Sequence, residues 1–301
     1  MENTKSAFIA IIGLPNVGKS SLMNRLVGQK ISIVSNKPQT TRNKITGILT
    51  CGDVQLVFLD SPGFHKTKNK LGEYMLKQVK ESILDIDVCI LMVDATNKCI
   101  TDSQRELINK VKKLNIDVIL VINKIDLLPQ KELIIKIIDL YAKELNFKSA
   151  IPISVKKDDG VDILLKELFK YALPSPHFFS KDLVTDQMEK VVVSEIIREK
   201  ILLSLNKEIP HGVAVVIESM KKRKNRNLID VEAVIYCEKE SHKGIIIGKN
   251  GEALKLISCK ARVDIEKLLG EKVNLQCWVK TKNNWRKNIN MMNNLGYKLN
   301  S

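Results

Sequence analysis

Residues 13–20 read GLPNVGKS, a glycine-framed turn between an apolar run and a stretch with helical periodicity. The run FIAIIG at 8–13 predicts a buried strand, and residues 20–28 predict a helix. In this setting a G-x-x-x-x-G-K-[ST] sequence turns backbone N–H groups inward around a phosphate, and Lys19 adds a positive charge. The pattern arises by chance in about one chain in a hundred of this length. It therefore predicts a phosphate site and an α/β fold around it.

Strand-like and helix-like segments alternate through the first 173 residues. Short β-branched runs predict further strands, at 44–51, 54–60, 87–94, 117–123 and 150–153. The first of these follows a long polar loop and is expected at a sheet edge. Helical stretches separate the later strands, at 71–84, 102–113, 130–145 and 160–171. Such alternation is typical of an open, mostly parallel sheet with helices on both faces.

The pattern changes after residue 173. The segment PSPHFFS (174–180) contains prolines that cannot continue a helix, which indicates a linker. A smaller α+β pattern follows, with helical residues at 187–205 and 251–269 and strands at 213–219, 229–237 and 272–280. We therefore predict a first domain over 1–173, a linker over 174–186, a second domain over 187–285 and a C-terminal tail over 286–301.

Two groups near the first domain's strand ends suit a metal-bound triphosphate. Ser20 places a hydroxyl beside the phosphate loop, where it can bind Mg²⁺. The sequence DSPG begins with Asp60 at a predicted strand end, so that its carboxylate can hold Mg²⁺ through water and the Gly63 N–H can meet a γ-phosphate. Taken alone, D-x-x-G is usually a turn, but its place after the phosphate loop and at a strand end makes it specific.

The sequence NKID at 123–126 selects the base. Guanine presents two adjacent donors, N1–H and the exocyclic amine, which the carboxylate of Asp126 can accept together. Adenine lacks both and would leave the carboxylate unpaired, at a cost of a few kcal/mol. Ser154 follows the next predicted strand, where a backbone N–H can reach guanine O6. The chain is therefore expected to bind GTP and GDP rather than ATP.

Net charge and cysteine content restrict the expected partners and cellular location. The net charge is +15, from 49 basic and 34 acidic residues, which indicates a polyanionic partner, either nucleic acid or an acidic membrane surface. The six cysteines are scattered without a Cys-x-x-Cys pair, which is typical of thiols in a reducing cytosol. No apolar run approaches the ~20 residues that cross a bilayer. A cytoplasmic location is expected.

The second domain carries a G-x-x-G sequence at 248–251, after an apolar run and before a helical stretch. In this context the pattern is typical of a KH module, whose loop clamps about four nucleotides. A basic run, KKRKNR at 221–226, lies between two predicted strands and can contact phosphates, although a solvated turn or an anionic lipid contact is the alternative. Trp278, Trp285 and Arg286 are candidates for stacking on bases, although Trp278, in a predicted strand, is rather expected in the core.

These motifs, taken in order, resemble those of the Era family of GTPases, and the resemblance covers nearly the whole chain. It rests on GLPNVGKS, PQTTR (38–42), DSPG, NKID and PISV (152–155) in the first domain, and on SEIIREK (194–200) and IIGKNG (246–251) in the second. The resemblance implies a P-loop GTPase domain followed by a type II KH domain. It also implies a monomeric bacterial factor for assembly of the small (30S) ribosomal subunit. Such a factor binds the 3′ end of 16S rRNA in its GTP state and associates peripherally with the inner membrane.

The resemblance assigns site residues one by one. Residues 30–43 become switch I, and the segment after Gly63 becomes switch II. Those expected to act in hydrolysis are Lys19, Thr41, Asp60 and Gly63, and those expected to hold Mg²⁺ are Ser20, Asp60 and Thr41, or Thr40 in place of Thr41. The GTP-binding set is Gly13, Asn16, Val17, Gly18, Lys19, Ser20, Ser21, Asp60, Gly63, Asn123, Lys124, Asp126, Ser154 and Val155. The RNA-binding set is Lys221, Lys222, Arg223, Lys224, Gly248, Lys249, Asn250 and Gly251.

One difference from Ras-like enzymes bears on the rate of GTP hydrolysis. Phe64 follows DSPG where Ras-like enzymes carry a water-orienting glutamine, so slow intrinsic hydrolysis is expected. Asn16 offers a compensation, because related GTPases with Asn at this loop position bind K⁺ beside the phosphates; a plain turn residue is the alternative. Two other functions stay open: a membrane-surface signalling GTPase whose basic domain contacts anionic lipid, and an ATP-driven RNA-remodelling enzyme.

Overall fold

The computed structural model describes residues 4–35, 37, 40–60, 62, 70–81, 86–113, 115–205, 209–224 and 226–297, without the side chains of 76 and 79–81. The described residues form two compact units. The first falls within Met1–Ser32, Thr41–Lys66 and Met75–Asp186, and the second within Ile33–Thr40, Thr67–Tyr74 and Gln187–Ser301. Two short segments of the first half of the chain thus belong to the second unit.

The first unit is built on a mostly parallel sheet. Its strands are β1 (Lys5–Gly13), β2 (Ile45–Cys51), β3 (Val54–Asp60), β4 (Val88–Asp94), β5 (Asp117–Asn123), β6 (Ser149–Pro152) and β7 (Leu173–Pro174). Among the described residues they form one seven-stranded sheet in the order β2-β3-β1-β4-β5-β6, with β7 beside β1. Only β2 and β7 run antiparallel to their neighbours in the described sheet, β2 on β3 and β7 on β1. The predicted fold class and the predicted edge strand are both present.

Helices cover both faces of this sheet. They are α1 (Lys19–Val27), α3 (Asp102–Lys112), α4 (Leu133–Ala142) and α5 (Val161–Phe169). A further helix, α2 (Lys70–Glu81), has its residues up to Tyr74 in the second unit and those from Met75 in the first. Side chains alternate across a strand, so Ile9 and Ile11 of β1 join a core with α1 and α5, while Ala10 and Ile12 join a second core with α3 and α4. Central parallel strands buried on both faces explain the continuous apolar runs in the sequence.

The predicted linker, 174–186, lies along the first unit. The Ser6 hydroxyl donates to the Pro176 carbonyl at 3.0 Å, and Ile48 N–H donates to the Val184 carbonyl at 2.9 Å. The buried Gln55 side chain accepts from the backbone of Phe178 and Phe179 at 2.9 and 3.0 Å. The prolines keep this segment out of a helix, and its backbone groups pair with strand edges instead.

The second unit has the small α+β pattern predicted for it. Its strands are β8 (Ala214–Lys222), β9 (Leu228–Cys237) and β10 (Lys272–Thr281), and its helices are α6 (Glu189–Ser204), α7 (Glu240–Ile247), α8 (Glu252–Leu269) and α9 (Ile289–Asn294). Within the described residues these strands form one sheet in the order β10-β9-β8. The buried face of this sheet packs on α6 and α8. No helix in the described part of the chain is long and apolar enough to span a bilayer.

Two features of the second unit differ from the sequence prediction. Helix α7 was not predicted, because its sequence ESHKGIII buries only Ile246 and has no clear helical period. The C-terminal tail is packed as far as Tyr297, with α9 contributing the buried Met292. Packing among the described residues therefore continues past residue 285.

The roles expected for the two tryptophans are reversed. Trp285 is fully buried and donates its indole N–H to the Gly212 carbonyl at 2.9 Å, so it cannot stack on a base. Trp278 is 44% exposed rather than in the core. Val273 and Val279 on β10 face the core, and a residue one position away from such a site points to the opposite face.

The segment Ile33–Thr40 belongs to the second unit, and three of its described residues bond to α6 or to the residue that ends it. Four hydrogen bonds hold them. Val34 N–H donates to Glu199 Oε1 at 2.9 Å, Lys37 Nζ donates to the carbonyls of Leu202 and Leu205, and Arg198 Nη2 donates to the Thr40 carbonyl. The lysine lies on the carboxyl-terminal carbonyls of α6, where a cation also suits the helix dipole. The predicted switch I, 30–43, is therefore divided between the units twice, after Ser32 and again after Thr40.

Candidate nucleotide site and nucleic-acid interface

The phosphate loop joins β1 to α1 in a backbone path that requires glycine. A Cβ added at Gly13 would lie 2.5 Å from the Met92 carbonyl oxygen, and one at Gly18 would lie 2.3 Å from Asn123 Nδ2. Gly18 also has φ 109°, and Asn16 has φ 66°. Both values lie in the left-handed region, which turns successive N–H groups toward one concavity. Ser21, the last of the predicted loop residues, lies in the first turn of α1.

Lys19 is buried within this loop. Its ammonium donates to the carbonyls of Gly13 and Leu14 at 3.1 and 3.0 Å. Burial lowers the pKa of Lys19 to about 8, and the charge of Asp60 partly opposes that effect. A phosphate placed beside this ammonium would raise the pKa again, because it stabilises the charged form. The loop therefore holds a cation that an anionic ligand can stabilise.

Three oxygen-bearing side chains meet beside the loop. Ser20 Oγ lies 2.9 Å from Thr41 Oγ1 and donates to Asp60 Oδ2 at 2.9 Å. The Ser32 hydroxyl donates to the same carboxylate oxygen at 3.1 Å. Asp60 is fully buried, which raises the pKa of its carboxyl, although the Lys19 charge lowers it. Its Oδ1 has no hydrogen-bond partner among the described residues.

The structure separates the two threonines that the sequence left as alternatives. Thr41 lies beside Ser20, whereas the Thr40 hydroxyl donates to the Lys37 carbonyl at 2.6 Å. Gly63 and Phe64, both named from the sequence, lie outside the described residues.

Asn123 ties the base-reading segment to the phosphate loop. Its Nδ2 donates to the Val17 carbonyl at 2.8 Å, and its Oδ1 accepts from the Val155 N–H at 3.2 Å. The exposed carboxylate of Asp126 accepts from the Ser154 hydroxyl at 2.6 Å. The structure thus brings the predicted residues of the NKID and PISV sequences together with the phosphate loop.

Sequence reasoning missed Asp94, the last residue of β4. Its Oδ2 lies 2.6 Å from Lys124 Nζ, and its Oδ1 accepts from the Thr96 N–H at 2.9 Å and hydroxyl at 2.7 Å. The signal was available, because Asp94 ends a strand just as Asp60 and Asn123 do. Carboxyl ends of neighbouring parallel strands share one sheet edge, where ligands of open α/β sheets bind.

The G-x-x-G loop of the second unit joins α7 to α8. Gly248, Asn250 and Gly251 all have positive φ, at 74°, 51° and 79°. A Cβ on Gly248 would lie 2.6 Å from the Ala253 Cβ, whereas one on Gly251 would meet nothing within 4 Å. Lys249 and Asn250 are exposed at the tip. The loop presents a lysine and backbone groups to solvent, as a phosphate-clamping loop requires.

The basic hairpin, residues 221–226, has fewer free cations for phosphate contacts than its sequence predicts. Lys222 pairs with Glu271 at 2.7 Å, and the Arg223 guanidinium makes two bonds to Asp230, at 2.6 and 2.7 Å. The Arg223 bonds, with one from Asn274, lower the pKa of Asp230 to about 2. Lys221 and Lys224 are exposed. Two of the four side chains predicted to contact phosphates are therefore already paired within the unit.

Comparison with known proteins covers both units. The family model described as "50S ribosome-binding GTPase" matches residues 8–124, and a KH domain model matches residues 208–286. The protein named GTPase Era of Clostridioides difficile is 52% identical over 293 residues, which are 97% of this chain and 98% of that protein. GTPase Era of Ruminiclostridium cellulolyticum is 50% identical over 296 residues, 98% of each chain.

Two solved structures match over 98% of this chain and 100% of their own, each at 36% identity. One is a variant of Aquifex aeolicus Era bound to GDP and AlF₄⁻, with a TM-score of 0.94. The other is Era in complex with MgGDPNP and nucleotides 1506–1542 of 16S ribosomal RNA, with a TM-score of 0.93.

Proposed function

The chain belongs to the Era family of GTPases, and we propose that it uses the GTPase cycle to control binding of the 3′ end of 16S rRNA during assembly of the small ribosomal subunit. Hydrolysis of GTP to GDP and phosphate is the activity of this family. The RNA assignment is carried by one observation: the chain aligns from end to end with an Era that holds this RNA segment and MgGDPNP together.

The nucleotide is held by the first unit. The loop N–H groups and Lys19 take the β- and γ-phosphates, and Asp126 accepts from guanine. Ser20, Thr41 and Asp60 would hold Mg²⁺, and the unpaired Asp60 Oδ1 in a buried oxygen cluster is consistent with a hard cation there. Bound Mg²⁺ neutralises charge that develops on the phosphate oxygens. The Asn123 bonds keep the base-reading and phosphate-binding segments in fixed register.

We propose that K⁺ beside Asn16 supplies further positive charge during hydrolysis. Asn16 is exposed at the turn of the phosphate loop, in a left-handed conformation, and a cation held there would lie beside the phosphates that this loop would bind. GTP hydrolysis by the full chain is expected to run about tenfold faster in K⁺ than in Na⁺ at equal ionic strength. Asn16→Ala should abolish that difference. Equal rates of phosphate release in the two salts would contradict the proposal.

A path for nucleotide control of the second unit follows from chain connectivity. Arg198 of α6 holds the Thr40 carbonyl, and the next residue, Thr41, lies beside Ser20. A displacement of Thr41 after hydrolysis would move the peptide bond that joins it to Thr40. The buried Arg198, which also pairs with Glu195, would then lose its bond to the Thr40 carbonyl or shift with the segment. This supports RNA binding that depends on the nucleotide.

Crosslinking to total cellular RNA tests the function. The full chain is loaded with a non-hydrolysable GTP analogue or with GDP, crosslinked, and the bound RNA is sequenced. Reads from the 3′ end of 16S rRNA should be enriched in the GTP-analogue sample, because only that state fixes Thr41. Reads spread over cellular RNA without regard to nucleotide would refute the RNA assignment.

The cellular setting is also a proposal. The six cysteines all lie in the described part of the chain and are free, which supports a cytoplasmic location. A peripheral contact with the inner membrane would use the exposed Lys221 and Lys224 of the basic hairpin. The signalling alternative, in which lipid replaces RNA as the polyanion, rests on that hairpin. The ion pairs of Lys222 and Arg223 weaken it.

A further inference from the structure

Hydrogen bonds from Thr96 orient the carboxylate of Asp94 toward Lys124. The backbone N–H and the hydroxyl of Thr96 both donate to Oδ1, which leaves Oδ2 directed to Lys124 Nζ at 2.6 Å. The Asp94 side chain is only 14% exposed and that of Lys124 is 32% exposed. Burial raises the pKa of Asp94, but the bonds from Lys124 and Thr96 outweigh it and hold the pKa below its usual value. The carboxylate is therefore ionised, and its bond to Lys124 is partly shielded from water.

The pair lies in the base-reading segment itself. Lys124 stands between Asn123, which binds both the phosphate loop and Val155, and the segment that carries Asp126. Its backbone is left-handed, with φ 68°. Asp94 is paired in register with Asn123 across β4 and β5, so the carboxylate reaches Lys124 from the adjacent strand end. Backbone and side chain of this lysine are thus fixed by separate contacts.

We propose that Asp94 is a positioning residue for the guanine nucleotide, acting by holding the Lys124 side chain extended at the base pocket before the nucleotide arrives. This inference rests on the proposed guanine-nucleotide site. A lysine side chain loses rotamer entropy when it is ordered. Because the ion pair orders it in the free protein, that cost does not fall on binding. Asp126 selects the base, and Asp94 determines how long the nucleotide stays.

A purely structural role predicts something different. If the pair only joined two strand ends, its loss would lower thermal stability and leave nucleotide kinetics unchanged. It would also act independently of whether Lys124 can contact a nucleotide. Dissociation kinetics in single and double variants separate these cases.

The test measures dissociation of N-methylanthraniloyl-GDP from the full-length protein by stopped flow. Asp94→Asn keeps an acceptor for Thr96 but removes the charge, and the dissociation rate should rise about tenfold. Asp94→Glu, which keeps the charge, should recover part of the wild-type rate. In a Lys124→Ala background the further change Asp94→Asn should alter the rate less than twofold, because the positioned group is gone.

Glu144→Gln is the matched control. It breaks an ion pair of the same 2.6 Å length, with Arg105, in the same unit. Its dissociation rate should match wild type even if its thermal midpoint falls as far as that of Asp94→Asn. A wild-type protein that fails to bind the GDP probe would refute the nucleotide site. A wild type that binds, with an Asp94→Asn effect that is absent or fully retained without Lys124, would refute the positioning role alone.

Discussion

Replacing Asp126 with asparagine is expected to turn the site from guanine to xanthine nucleotides, with a roughly thousandfold loss of GDP affinity. Guanine presents two donors to the carboxylate, and asparagine places an N–H₂ against one of them. Xanthine carries a carbonyl in place of the exocyclic amine, so the asparagine donor gains an acceptor. Affinity for xanthosine diphosphate should rise as GDP affinity falls. Fluorescent GDP and XDP titrations measure both changes.

Asp126→Asn is expected to preserve the hydrogen bond that surrounds the changed group. Ser154 donates to Asp126 Oδ1 at 2.6 Å, and an asparagine oxygen can accept the same bond. Asp158→Asn is the matched control, because it removes a carboxylate from the neighbouring loop that pairs only at the surface with Arg25. That variant should keep the wild-type preference for guanine. Equal affinity of the wild type for ATP and GTP would overturn the base assignment and revive the ATP-driven alternative.

The first unit could be predicted from sequence because its strands are buried on both faces. Such strands appear as unbroken apolar runs, so β3, β4 and β5 were placed within one residue of their observed bounds. Helix α7 was missed because a short helix with one buried side chain leaves no period to read. Trp278 was misplaced because the face of a strand depends on parity, which a single apolar residue does not reveal.

The site could be predicted where the residues that act together lie in one continuous segment of the sequence. The phosphate loop and the NKID sequence are of this kind. Asp94 was missed because its partner Lys124 follows another strand, and only the register of β4 and β5 brings the two residues together. Thr40 and Thr41 could not be separated for a similar reason, since the distinction depends on which hydroxyl reaches Ser20. The pairing of Arg223 with Asp230 across the hairpin was likewise invisible in a run of basic residues.

Substituting Gly251 with aspartate is expected to weaken binding of a 16S rRNA 3′-end oligonucleotide roughly hundredfold while GTP hydrolysis stays unchanged. The new carboxylate would stand at the loop beside Lys249, where an RNA phosphate is expected, and like charges brought together cost several kcal/mol. Gly251 suits this test better than Gly248, because a Cβ at Gly251 meets nothing within 4 Å. Fluorescence anisotropy of the labelled oligonucleotide, with the GTP analogue present, gives the affinity.

Gly270→Asp separates the charge from any backbone strain. Gly251 and Gly270 cap the two ends of α8, with φ 79° and 67°, and a Cβ at either meets open space. Both variants place aspartate in the left-handed region at a cost of about 1–2 kcal/mol. If the G-x-x-G loop clamps the RNA backbone, only Gly251→Asp loses the oligonucleotide. Equal losses in both variants would assign the effect to folding of α8. Retained RNA binding in Gly251→Asp, with cosedimentation on anionic vesicles that Lys221→Glu and Lys224→Glu abolish, would instead make the basic hairpin the polyanion site and lipid its partner.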